Sequence, residues 1–155
     1  MKLSCENGAY DKLYLQDNLK VHEFVFRIMS RNEKYCVFSM IDKYMRESDV
    51  RRKMDMGNWS ALNKAHKQLL ESVDFTDCEP RQYDIDEISI AWIADMYVLL
   101  QWKYKIPSAE ISRKIPSKKM FSLFNPLHET SYENACDKLY KKFWGKEKEY
   151  ECHNK

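Results

Sequence analysis

Hydrophobic residues recur at three- and four-residue steps along most of this chain, the spacing that places side chains on one face of an α-helix. Val21, Phe24, Val25 and Ile28 fall at i, i+3, i+4 and i+7, which predicts a helix capped by Asp17 or Asn18. After a polar break from Ser30 to Glu33, Tyr35, Val37, Phe38, Ile41, Tyr44 and Met45 repeat the pattern and predict a second helix ending near Glu47. Ser48 is placed to cap a short helix from Asp49 to Met56, Gly57 suits a left-handed stop, and Asn58 opens a fourth helix through Leu62, Ala65, Leu69 and Val73. Residues 74–84 are polar, hold Pro80 and show no period, so they read as a surface connection.

The second half reads differently. Asp84 and Glu87 have capping-box spacing, and behind them Ile88, Ala91, Trp92, Val98, Leu99 and Trp102 lead a nearly unbroken apolar run. A helix apolar on most sides must be enclosed by others, so this run predicts a buried central helix over about 85–105. The tripeptide Ile-Pro-Ser then occurs at 106–108 and again at 115–117, each serine placed to cap a short helix, over 108–114 and 117–124. Asn125 and Pro126 have the residue types of a helix start, and Leu127, Ser131, Ala135, Leu139 and Phe143 follow at four-residue steps up to Gly145. The expected fold is all-α, a compact multi-helix bundle around the central helix, with two short helices and a C-terminal helix. Residues 1–145 form one domain, and 146–155 a charged tail.

Composition supports this picture and removes function classes. Three glycines and four prolines in 155 residues are too few for the turns of an all-β domain, and 44% hydrophobic residues are enough for a core. A net charge of +2 implies no nucleic-acid or membrane partner through bulk charge. Five cysteines, odd in number and without a C-x-x-C pair, read as reduced thiols of a cytoplasmic protein. Cys152 and His153 lack a second ligand pair, so no metal is expected. Met1 to Asp17 has no apolar signal core, and no run is long enough to span a membrane. With no Gly-rich phosphate loop, no G-x-S-x-G and no H-E-x-x-H, neither enzyme nor cofactor is expected.

Some residues resist the pattern. Asp95 interrupts the apolar run, and an unpaired buried carboxylate costs several kcal/mol, so it needs a partner or a pocket. As a binding acid it would work with Gln101 and with His128 or Glu129; as a structural group it would bond Tyr97, His128 or a helix cap, and the structural role ranks first. Ser108 to Phe124 resembles a helix-turn-helix in which Ser117, Lys118, Lys119 and Ser122 would face DNA, although Pro116 stands where such turns usually carry glycine. The alternative is a pair of short helices closing the bundle. Arg51, Arg52 and Lys53 lie between Asp49 and Asp55 and read as a solvated helix face first, with a contact point for acidic protein or RNA as the alternative. Four tryptophans and ten tyrosines are many for this size; most are expected in the core, and an exposed aromatic patch would mark a partner.

Residues 91–140, with W-x-A-D-x-Y-x-x-L-Q-W-x-Y, then P-L-H-E-x-S and N-A-C-x-K-L, resemble a group of small bacterial proteins found near genes of ADP-ribosyltransferase-like toxins. Trp92, Asp95, Gln101, Trp102, His128 and Glu129 match the shared pattern, and the resemblance gives none of them a catalytic role. It implies an antitoxin-like or mobile-element accessory factor that binds a partner protein, a toxin or defence component. The competing expectation is a DNA-binding regulator using 108–124.

Overall fold

The computed structural model describes residues 8–63, 66–82 and 84–153, with backbone alone for 66, 67 and 146–153. It is 71% helical and, among the described residues, contains no strand. A 3-10 turn over Lys12–Tyr14 leads into α1 (Leu15–Arg31), followed by α2 (Val37–Glu47), α3 (Asp49–Asp55), a 3-10 segment Trp59–Asn63 and α4 (His66–Leu70). The second half holds α5 (Glu87–Tyr104), α6 (Ser108–Lys114), α7 (Ser117–Ser122), α8 (Phe124–Leu127) and α9 (Tyr132–His153).

Helix α5 is the axis on which α1 and α6 to α9 pack. Thirteen of its 18 residues are buried, which is why its sequence shows no polar face. At about 1.5–3 kcal/mol per buried large apolar side chain, this helix alone accounts for much of the hydrophobic stabilisation. Its N-cap is Asp86, which accepts from Ser89 N at 2.7 Å. The Asp84 expected there pairs instead with Arg81, two residues short of the first helical turn.

Helix α1 starts earlier than Asp17 because Asp11 caps the preceding 3-10 turn, accepting from Leu13 N at 2.9 Å. Its buried face is Leu15, Asn18, Leu19, His22, Val25, Phe26 and Met29, rotated from the expected one. Phe24 is 36% exposed and Val21 only half-buried. The two polar residues Asn18 and His22 took part of the face that Phe24 and Val21 were expected to hold.

Ser48 caps α3 as expected, accepting from Arg51 N at 3.2 Å, and Gly57 ends it with φ +83°. The following segment divides into the 3-10 piece and α4; Ala65, expected on its apolar face, lies outside the described residues. The 74–84 connection is tied down: Cys36 N donates to Glu79 O at 2.8 Å and Arg81 N to Lys34 O at 3.1 Å.

Both Ile-Pro-Ser tripeptides start helices at the expected residues, but the serines are not the caps. Carboxylates from the first half serve instead. Asp55 accepts from Ser108 N at 3.0 and 3.1 Å and from its hydroxyl at 2.7 Å. Asp42 accepts from Ser117 N at 2.8 Å. The last helix begins at Tyr132, where Ser131 Oγ accepts from Asn134 N at 3.1 Å, because Asn125 and Pro126 are taken up in the short α8. Gly145 breaks α9 with φ +67° and ψ −154°, and helical backbone resumes to His153.

Candidate functional site

Helices α1 and α5 run antiparallel. Arg31 makes a two-pronged contact with Glu87 at 2.7 and 3.0 Å, and eight residues back along α1, Glu23 meets Asp95, eight residues on along α5. Asp95 is 1% exposed, and its Oδ1 has no hydrogen-bond partner. Burial is the main cause that pushes its carboxyl up to about 9, with the hydrogen bond and charge of Glu23 adding, while Tyr132 and Arg27 pull it down. At neutral pH Asp95 therefore keeps its proton. Glu23 and Arg27 of α1 and Tyr132 of α9 are the groups whose charge and hydrogen bonds act on it.

The structure does not bring the other candidate residues to Asp95. His128 is exposed, stacks on Phe124 with ring centres 4.3 Å apart, and holds Nδ1 2.9 Å from Phe124 O. Phe124 in turn meets α5, its ring edge-on to Trp92 at 5.6 Å. Glu129 is exposed. Gln101 is buried and donates from Nε2 to Met54 O at 2.7 Å, and Trp102 donates from Nε1 to Tyr10 O at 2.7 Å. Both lie more than a helical turn from Asp95, about 9 Å along the axis at 1.5 Å per residue. They anchor the first half of the chain to α5.

The helix-turn-helix geometry is also absent at its first residue. Ser117 is fully buried, and its hydroxyl donates to Phe38 O at 2.9 Å, so the start of α7 faces α2 and cannot enter a groove. Lys118, Lys119 and Ser122 are exposed, with Ser122 Oγ donating to Lys119 O at 2.6 Å. Arg51 corrects the reading of the 51–53 cluster. It is 0% exposed and donates from Nε to Ser108 Oγ at 3.0 Å and from Nη2 to Tyr97 O at 3.2 Å. Arg52 and Lys53 do lie outward and pair with Asp49 at 3.0 and 3.1 Å.

A second buried polar group escaped the sequence reading. His22 Nδ1 lies 2.5 Å from Asn18 Oδ1 and Nε2 lies 2.9 Å from Tyr44 OH, while Asn18 Nδ2 donates to Tyr10 OH. Burial, with the nearby Arg51 charge second, holds the imidazole well below its usual value, so it stays neutral. The signal was present: residues 15, 18, 22, 25 and 29 follow three–four spacing, and two of them are polar.

On the surface, the 3-10 turn meets the turn after α3. Tyr14 stacks on Trp59 with ring centres 3.9 Å apart, beside a cleft of about 350 Å³ lined also by Asp17, Lys20, Val21, Leu62 and Asn63. Leu13, next to Tyr14 in the chain, and Met56, three residues before Trp59, are 73% and 74% exposed. No helix is long and apolar enough to cross a membrane, and no group of His, Cys, Asp and Glu suited to a metal occurs, both among the described residues. No family model, no curated protein and no solved structure matches the chain.

Proposed function

We propose that this chain is a non-enzymatic binding protein that acts by covering a partner protein. The observation that carries the reading is the pair of exposed apolar side chains Leu13 and Met56 on the two segments that the Tyr14–Trp59 stack joins, with Trp59 itself 36% exposed. Exposed aromatic and Met side chains beside a shallow cleft are the composition of interface centres. The resemblance of residues 91–140 implies the partner's class, a toxin of ADP-ribosyltransferase type. The test compares the wild-type chain with a Leu13→Glu/Met56→Glu variant as bait in extracts of its host. One protein enriched on the wild type, lost on the variant and free of its transferase activity when bound is the expected result. Equal recovery on a variant of unchanged thermal midpoint sinks the proposal.

A further inference from the structure

The near-neutral net charge hides an uneven distribution. Residues 1–102 carry fourteen Lys and Arg against seventeen Asp and Glu, whereas 103–142 carry nine against four. Two of those four acids are occupied: Glu110 accepts from Trp144 Nε1 at 2.8 Å, and Asp137 from Lys103 at 2.8 Å. The basic side chains gather around one aromatic ring. Lys119 of α7 holds Nζ 5.2 Å from the centre of Phe143, Lys142 of α9 holds Nζ 5.8 Å from it, and Lys114 of α6 donates to Phe143 O at 3.2 Å. Lys118 extends the group along α7, and Lys138 lies one turn before Lys142 on α9. All five lysines are exposed, and Phe143 is half-buried.

We infer that this face, built where α6, α7 and the middle of α9 meet, binds single-stranded nucleic acid, with the lysines on its phosphates and Phe143 against a base. Cations on three helices are brought to one surface, none of the five in an ion pair among the described residues, and the i, i+4 pair Lys138 and Lys142 repel each other, a cost that a bound anion removes. An aromatic ring among lysines is the pairing that single strands use, since every base offers a face for stacking. A duplex would need an element that enters a groove, and the buried Ser117 denies α7 that role. A membrane would need protruding apolar tips, and the strongly exposed hydrophobic residues Leu13, Met56 and Ile88 all lie outside α6, α7 and α9. This inference is independent of the protein-binding corner, which belongs to the opposite half of the sequence.

Fluorescence anisotropy with a labelled 20-nucleotide oligo(dT) tests it. The full chain is expected to bind at 50 mM salt, with log K falling against log salt at a slope of about −3, the value for roughly four phosphate contacts on a single strand. Replacing Lys118, Lys119, Lys138 and Lys142 with glutamine should weaken binding more than tenfold and flatten the slope, and Lys138→Gln/Lys142→Gln alone, on an exposed helix face, should give a smaller loss in the same direction. Phe143→Leu, which keeps an apolar side chain, should lower affinity severalfold. Absence of binding by the wild type, affinity unchanged in both lysine variants, or equal or tighter binding to a duplex or to vesicles with 30% phosphatidylserine would overturn the inference.

Discussion

Two buried polar groups, His22 on α1 turned to α2 and Asp95 on α5 turned to α1, are handled in opposite ways. At His22, neutral partners close a chain from Tyr10 through Asn18 to Tyr44, and burial pushes both tyrosine hydroxyls up to about 12, so no member carries charge. At Asp95 a carboxyl is left with an unbonded oxygen and must keep a proton beside Glu23. Neutral donors and acceptors can be buried at little net cost when each finds a mate, whereas an acid in the same setting is bound to pH. The first group fixes how α1, α2 and the N-terminal turn dock; the second is a weak place in the domain.

The largest expected effect lies at the inner edge of the first group. Arg51→Ala removes a fully buried guanidinium, takes a second donor from Tyr97 O and the Arg51 donor from the Ser108 hydroxyl, and should cost about 3 kcal/mol or more in urea unfolding. A loss below 1 kcal/mol would show that the guanidinium is not integral to the core.

His22→Ala comes next, at about 2–4 kcal/mol, since it opens a cavity and strands Asn18 and Tyr44. The imidazole's folded value is depressed, so its contribution is present above the usual 6.5 and is lost as pH falls below it, when the unfolded chain takes up a proton that the folded chain refuses. Urea midpoints between pH 7 and 5 should fall more steeply for the wild type than for His22→Gln.

Asp95 has the opposite sign. With its folded value raised to about 9, the stability that its proton supplies is complete below the usual 3.8 and drains away as pH climbs toward 9. Asp95→Asn should therefore stabilise the domain at pH 8, by about 1 kcal/mol or more, and lose that advantage at pH 4. A variant less stable than wild type at pH 8 would mean that the carboxylate has a partner worth more than its burial costs.

The smallest effect belongs to Arg31→Ala at the exposed end of the same seam. Its ion pair with Glu87 is solvated on both sides, and the urea midpoint should move within the error of the measurement at 150 mM salt.

The sequence carried the helical class, the buried axis of α5 and both Ile-Pro-Ser starts, because periodicity and proline act locally. It identified Asp95 as misplaced by the same token, from the apolar residues around it. Arg51 and His22 were harder. Arg51 sits among charges that mark a solvated face, and its acceptors, the Tyr97 carbonyl and Ser108 hydroxyl, are distant in the chain. The real partners of Asp95 were equally distant: Glu23 lies in another helix with nothing in its own surroundings to single it out. The basic face around Phe143 is assembled from three helices and shows in the linear sequence only as scattered lysines.

The two borrowed caps bear on the order in which the chain is made. Asp55 and Asp42 belong to the part synthesised first, and they hold the starts of α6 and α7, which emerge later. A nascent chain paused before residue 106 presents both carboxylates without the amides that they serve. The later segment, expressed alone, has nothing to begin its two short helices. Severed in the 71–86 connection, the two pieces should remain unstructured apart and recover helical circular dichroism when mixed.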